Sequence, residues 1–175
     1  GVNKIILISH LQSIKEDLTL AATLDGVDVM VAGGSDAVLA NPGDRLIPGD
    51  EISGPYPIIA TDIDGTEVPV VTTGGNYGYV GQLMVGFDKA GNVIDIGDNS
   101  GPVRVAGGDN PDAVEPDPEV QDLVTDPVLA YLEDLANNVI GTSEVDLNGV
   151  REAVRTRETN EGNLIAASLW WQADQ

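Results

Sequence analysis

His10 is the only histidine of the chain, and it follows directly after a short apolar run, residues 4–9. The run predicts a buried strand, and a helix begins shortly after it. In α/β proteins, ligands bind beyond the carboxyl ends of the strands. A histidine at such an end is placed to meet a metal ion or a substrate. The alternative is a surface histidine that merely ends a strand, and this segment alone leaves both interpretations open.

A second apolar run, residues 27–32, ends in the sequence Gly-Gly-Ser-Asp, of which the last residue is Asp36. Between the two runs, a capping-box pattern from Ser13 to Glu16 and apolar residues at helical spacing predict a helix. Two strands joined by a helix form a parallel unit. His10 and Asp36 are therefore expected to emerge at the same edge of one sheet.

The charge of the chain restricts its partners. It carries 29 acidic side chains against 8 Lys plus Arg, a formal net charge of −21. Such a surface repels nucleic acid, because binding to phosphate backbones depends on clustered basic side chains. The absence of cysteine excludes disulfides and thiolate chemistry. The apolar runs are far shorter than the roughly 20 residues of a membrane span, so neither a nucleic-acid partner nor a membrane span is expected.

The pattern after the parallel unit is typical of antiparallel strands. Residues 57–62 and 67–72 flank Asp64-Gly65, a hairpin signal. Residues 106–126 then carry seven acids, no bases and three prolines, which predicts a linker. Asp126-Pro127 has the pattern of an N-cap and a first helical residue.

Two segments far apart in the chain resemble one family. Residues 4–11, followed by residues 26–31, resemble the second half of the metallophosphatase (calcineurin-like phosphoesterase) domain of bacterial 5'-nucleotidases. Residues 154–166, Val-Arg-Thr-Arg-Glu-Thr-Asn-Glu-Gly-Asn-Leu-Ile-Ala, resemble the opening of the same family's C-terminal nucleotide-binding domain. The resemblance spans nearly the whole chain, which we expect to be a piece of a longer polypeptide.

The resemblance implies an α/β fold in three sections. It implies part of a two-sheet α/β/β/α metallophosphatase sandwich, then a linker helix, then the start of a second α/β domain. Residues 1–105 would be the C-terminal half of the metallophosphatase domain. Residues 106–141 would be the acidic linker and linking helix, and residues 142–175 the start of the C-terminal domain.

The resemblance also implies an activity. The parent protein would be a metal-dependent phosphohydrolase that cleaves phosphate esters, above all 5'-nucleotides, with a water activated by two divalent metals (Mn, Zn, Mg or Ca). His10 would be a ligand of one metal. The family carries Gly-His-Ser followed by His, Gln or Asn where this sequence has Gly33-Gly34-Ser35-Asp36. Gly34 thus replaces a ligand histidine, and either Asp36 restores the site with a carboxylate, which suits hard cations, or the site has lost a metal.

Arg151 and Arg155 match family arginines that reach the substrate phosphate from the second domain. A guanidinium group grips phosphate in a bidentate manner, and the chain has few other bases. The alternative is a surface pair that neutralises Glu152 and Glu158.

The family's other metal motifs and its Asn-His catalytic motif have no counterpart here, so no catalytic residue is assigned and this piece alone is expected to be inactive. Its partners would be the remainder of its own polypeptide and a nucleotide or phosphate-ester substrate, in a periplasmic or secreted protein. The competing hypothesis is a non-catalytic acidic binding or surface protein that retains the fold with a degraded metal site.

Overall fold

The computed structural model describes the whole chain, Gly1–Gln175. Its contacts divide it into two compact units, Gly1–Pro116 and Asp117–Gln175. The division falls within residues 106–141, the segment expected to link two domains. None of the helices combines the length and the apolar content needed to cross a membrane.

The first unit is mixed α/β, the predicted fold class. A four-stranded sheet has the order β1-β2-β6-β5, and three two-stranded sheets pair β10 with β7, β3 with β4 and β8 with β9. The elements are β1 (Ile6–Ser9), α1 (Ile14–Ala21), β2 (Val29–Ala32), β3 (Val38–Leu39), β4 (Ile52–Gly54), β5 (Ile58–Thr61), β6 (Glu67–Val71), β7 (Tyr79–Gln82), β8 (Val85–Phe87), β9 (Val93–Ile96) and β10 (Gly101–Arg104).

Strands β1 and β2 form the predicted parallel unit around α1. Their register runs from Ile6 opposite Val29 to Ser9 opposite Ala32, so both strands end at the same edge. The expectation that the first strand is buried is wrong within this chain. Ile8 is 76% exposed, and its register partner Val31 on the central strand β2 is 37% exposed, so this whole face of the sheet is open and the edge position of β1 is not the cause. The core cluster that packs with α1 lies on the other face.

The core of the first unit lies between α1 and the centre of the four-stranded sheet. Met30 and Val70 are fully buried opposite each other on β2 and β6. They form one cluster with Ala21, Ala32, Ala60 and Val68. Small and branched side chains fill this core, as expected for a chain with only 4% aromatic residues.

Two local predictions had different outcomes. The hairpin at Asp64-Gly65 is confirmed: β5 and β6 pair antiparallel, and Asp62 Oδ1 accepts the backbone N–H groups of Asp64 and Thr66. The capping box at α1 is wrong. Ser13 is the N-cap, but its side chain accepts no hydrogen bond. The Glu16 N–H instead donates to the Ser13 carbonyl at 2.9 Å, so the backbone alone closes the first turn.

An ion pair anchors the end of the first unit. Arg104 at the end of β10 holds Asp112 through two hydrogen bonds, and Arg104 Nε lies 3.0 Å from Asp112 Oδ2. Arg104 Nη1 also donates to the Leu46 carbonyl. The pair therefore joins two loops to the sheet. The guanidinium of Arg104 holds the pKa of the Asp112 carboxyl below its usual value.

We expect the Asp112→Asn variant to lose less stability on acidification than the original chain. A carboxyl with a depressed folded pKa stabilises the fold above its unfolded pKa, about 4, and that contribution disappears as pH falls through the folded pKa. Urea unfolding of both proteins above and below that pH measures the effect. Asp109→Asn is the matched control, because Asp109 is exposed and forms no ion pair. If both variants lose the same amount of unfolding free energy on acidification, the prediction is contradicted.

The second unit is helical, with α2 (Pro118–Val120), a π-helical turn (Gln121–Thr125), α3 (Asp126–Asn137), α4 (Arg151–Thr156) and α5 (Asn160–Ala173). The prediction that Asp126 is an N-cap is wrong, although α3 begins at that residue. Asp117 is the N-cap, and its side chain accepts the N–H groups of Glu119 and Val120. Asp126 lies within continuous helical structure. Asp117-Pro118 carries the same Asp-Pro signal nine residues earlier, and the chain uses the first of the two.

Candidate functional site

The carboxyl ends of β1 and β2 are joined by backbone hydrogen bonds. The Gly33 N–H donates to the Ser9 carbonyl at 3.1 Å, and the Gln12 N–H donates to the Gly33 carbonyl at 3.4 Å. The residue after each strand is therefore held against its neighbour. This arrangement places His10 beside the Gly33-Gly34 turn.

The imidazole of His10 lies across Gly34. A Cβ atom built on Gly34 would be 2.8 Å from both Cε1 and Nε2 of the ring, closer than side chains tolerate. A Cβ atom on Gly33 would be 3.4 Å from Nδ1. The ring thus occupies the space that a side chain at position 34 would need.

Asp36 emerges at the same edge, two residues beyond Gly34. Its carboxylate lies against Gly75, where a Cβ atom would overlap Oδ1. Asp36 itself is exposed. The structure brings both chemical groups to one strand-end region, but it packs the imidazole on Gly34 and the carboxylate on Gly75. That the two share one cation stays a prediction.

Unusual backbone conformations collect at this edge. Gln12, Gly34 and Asp36 have φ angles of 63°, 79° and 53°. Positive φ is costly for a residue with a side chain, although Asp adopts it more readily than most. Such strained residues concentrate at functional sites. The observation favours this edge of the sheet as the functional region of the first unit.

A cavity of about 510 Å³ opens beside Asp36. Its walls are mainly apolar, with Val31, Val71 and Phe87 among them, and Asp36 and Thr73 give it a polar side. Tyr56 also lines it, and burial raises the pKa of this phenol to about 12. Tyr56 is therefore neutral near neutral pH and is suited to donate a hydrogen bond rather than to act as a base.

The residues present do not form a complete metal centre by themselves. No group of three or more His, Asp or Glu side chains in the chain is close enough to hold one ion. His10 and Asp36 offer one nitrogen and one carboxylate, whereas catalytic zinc sites use three protein ligands. A two-metal centre would need further ligands from elsewhere.

Arg151 and Arg155 belong to the second unit. Both lie on α4 four residues apart, a spacing that puts them on one face of the helix. Both are exposed, and neither forms an ion pair with Glu152 or Glu158. That this pair binds the substrate phosphate stays a prediction, as does the alternative of a surface pair.

We expect the Gly34→Ala variant to displace the His10 ring and to destabilise the first unit. The positive φ alone should cost about 1–2 kcal/mol for a residue with a Cβ, and the new methyl group would overlap the imidazole. Urea unfolding measures the stability change. Because His10 is the only histidine, its ring signals in a proton NMR spectrum report the displacement directly.

Gly26→Ala is the matched control for this variant. Gly26 has a φ of 73°, and a Cβ there meets nothing within 4 Å. It should show the backbone cost without a change in the His10 signals. Unchanged ring signals in Gly34→Ala would contradict the contact between the ring and Gly34.

Three residues of this region escaped the sequence analysis. Gln12 lies against Gly34, and Gly75 lies against Asp36; neither contact is visible in the sequence. Asp17 is fully buried in α1. Its signal was available, since it lies at helical spacing from the apolar residues Ile14 and Ala21.

Comparisons with known proteins give one consistent set of relatives. The chain is 33% identical over 171 residues to 5'-nucleotidase from Bos taurus, covering 97% of this chain and 28% of that protein. It is 36% identical over 170 residues to snake venom 5'-nucleotidase from Crotalus adamanteus, covering 97% and 27%. The chain thus spans less than a third of the length of these relatives. No family model matches it.

Solved structures agree with the sequence relatives. A 5'-nucleotidase precursor from Thermus thermophilus superposes with a TM-score of 0.63 at 34% identity, covering 99% of this chain and 32% of that one. NAD nucleotidase from Haemophilus influenzae gives a TM-score of 0.62 at 20% identity, covering 81% and 33%. The second likeness concerns the fold alone.

Proposed function

Because this chain corresponds to part of a 5'-nucleotidase family protein, we propose that its parent protein hydrolyses phosphate esters, with 5'-nucleotides as the main substrates. Nearly the whole chain aligns with each of the three 5'-nucleotidases named above. The observation that carries the proposal is the joined end of β1 and β2, where the only imidazole of the chain lies.

The proposed chemistry depends on divalent metals. Two metal ions would polarise the phosphoryl oxygens and supply a hydroxide nucleophile. His10 would contribute one nitrogen ligand, and Asp36 would contribute a carboxylate that favours harder cations such as Mn²⁺, Mg²⁺ or Ca²⁺ over Zn²⁺. The remaining ligands would come from the rest of the parent polypeptide. This chain alone would then be inactive.

The two arginines of α4 would bind the substrate phosphate. Their lack of acidic partners supports this role. In a chain with a net charge of −21, a local pair of bases is needed to offset repulsion of an anionic substrate. The second unit would then be the start of the nucleotide-binding domain, and residues 1–105 the C-terminal half of the metallophosphatase domain.

We place the parent protein outside the cytoplasm, in the periplasm or secreted. The strongly acidic composition supports this proposal, as do relatives named as venom proteins. Its nucleotide substrates would be degraded to nucleosides and phosphate.

Phosphate release from AMP by the parent protein tests the function. We expect release that requires a divalent metal and disappears after chelation. Adding Mn²⁺, Mg²⁺, Zn²⁺ or Ca²⁺ separately identifies the preferred ion. No phosphate release with any of these ions would reject the proposal, and this chain assayed alone is the negative control.

The second candidate function is a non-catalytic acidic binding protein with the same fold. Gly34 favours it, because glycine offers no ligand at a position where the family has histidine. Metal content separates the two. Tightly held transition metal in the parent protein supports the enzyme, whereas no metal, or only weakly bound Ca²⁺, supports the binding protein.

A further inference from the structure

The carboxylate of Asp17 is the least satisfied polar group in the protein. Asp17 is completely buried between α1 and the sheet. Its Oδ1 accepts a hydrogen bond from the Ser9 hydroxyl at 2.6 Å, and its Oδ2 has no partner. A carboxylate has room for about four hydrogen bonds. Burial of such a group with one partner is costly.

Stability does not explain this residue. Buried ionic groups with few partners are often replaced by apolar side chains without loss of stability, and sometimes with a gain. The apolar neighbours of Asp17 on α1, Ile14 and Leu18, pack against the core cluster. An apolar residue at position 17 would continue that surface. The carboxylate is therefore better explained by its hydrogen bond to Ser9.

Asp17 accepts the shorter of the two contacts of the Ser9 hydroxyl, which also lies 3.4 Å from the Val31 carbonyl oxygen. Ser9 is further connected to both strand ends. Its hydroxyl donates to Asp17, its carbonyl accepts the Gly33 N–H, and its backbone continues directly into His10. A Cβ atom on Gly33 would lie only 2.7 Å from the Ser9 carbonyl oxygen, so the two strand ends are in close contact there. Any movement of Ser9 would move the imidazole relative to Gly34.

We propose that Asp17 is a positioning residue, which acts through the Ser9 hydroxyl to keep the His10 imidazole across Gly34. This inference deepens the proposed function, on which its consequence for metal binding rests. The hydrogen bond attaches α1 to the last residue of β1. The helix and the two strand ends thereby form one rigid support for the ring.

NMR of this chain tests the positioning directly, because His10 gives the only imidazole signals. The readout is the cross-peak between the ring Hε1 proton and the Gly34 Hα protons, at constant pH. We expect Asp17→Ala and Ser9→Ala each to lose this cross-peak. Ser9→Thr restores the hydroxyl and should restore the cross-peak.

Asp28→Asn is the matched control. Asp28 Oδ2 accepts the Ile5 N–H at 2.6 Å, so this carboxylate also forms a short hydrogen bond, but at the opposite end of β1. This variant should affect stability while the ring cross-peak persists. If Asp17→Ala fails to fold, the Ser9→Ala and Ser9→Thr pair decides. A cross-peak that persists in folded Ser9→Ala would overturn the proposal, as would its loss in Ser9→Thr.

A second measurement concerns the parent protein. Residues that orient metal ligands typically change metal affinity by 10–100-fold, so we expect Ser9→Ala to weaken Mn²⁺ binding by about tenfold. An unchanged Mn²⁺ affinity in Ser9→Ala would show that the positioning of His10 by Ser9 does not affect metal binding. A parent protein that binds no metal would reject the proposed metal dependence, while the ring cross-peak would still decide the role of Asp17.

Discussion

The parent protein with His10→Ala is expected to release phosphate from AMP at least about 100-fold more slowly, since even the loss of a residue that supports a metal ligand costs up to that factor. His10 carries the only imidazole this chain offers. A phosphate-release assay at saturating AMP, with the metal that activates the original protein, measures the effect. The metal content of the purified variant should fall in parallel.

Thr19→Ala is a suitable control for this variant. Thr19 is exposed on α1, and its hydroxyl bonds only to the Lys15 carbonyl of the same helix. It should retain full activity. A His10→Ala protein that is folded and as active as the original would exclude His10 from the metal centre. A folded variant with normal metal content but no activity would instead assign His10 a role in the reaction itself.

The geometry around His10 was largely predictable because it follows from local patterns. Two apolar runs with a helical segment between them require a parallel pair, and a parallel pair brings both carboxyl ends to one edge. The register of β1 and β2 confirms this. The exposure of Ile8 was not predictable in the same way. An apolar run looks the same in the sequence whether one face or both faces of its strand are covered.

Equivalent local signals produced the error in the second unit. Asp117-Pro118 and Asp126-Pro127 both match an N-cap followed by proline. Only the first Asp is an N-cap, because the side chain of Asp117 accepts backbone N–H groups whereas the N-cap of α3 is Thr125. The second proline lies in the first turn of α3, directly after a π-helical turn. The sequence alone does not show which of the two aspartates caps a helix, because this depends on the backbone hydrogen bonds of the residues that precede each of them.

The contacts that complete the site are long-range, and for that reason the sequence did not reveal them. Gly75 meets the Asp36 carboxylate across a separation of 39 positions, 75 minus 36. Asp17 differs, since its helical spacing from Ile14 and Ala21 is itself a sign of a buried carboxylate. A charged residue on the buried face of a helix is therefore a useful sequence signal for a support residue.

The Met30→Ala variant is expected to lose about 2–5 kcal/mol of unfolding free energy, the range found when a buried methionine is truncated to alanine. Met30 is completely buried in the centre of β2 and pairs with Val70. Its neighbours are mostly alanine and valine, which are too short to refill the space. Urea unfolding of the original and variant chains measures the loss, and the far-ultraviolet spectrum confirms that the variant folds.

The chain contains one other methionine, and it provides the control. Met84 is 53% exposed, so Met84→Ala should change the unfolding free energy by about 0.5 kcal/mol or less, as for most surface substitutions. Equal losses in the two variants would contradict the assignment of the core to the α1 side of the sheet. The comparison also bears on the site, because Met30 lies on the same face of β2 as Ala32, which directly precedes Gly33. If the core determines where β2 ends, Met30→Ala should also weaken the contact between the His10 ring and Gly34, whereas Met84→Ala should leave it intact.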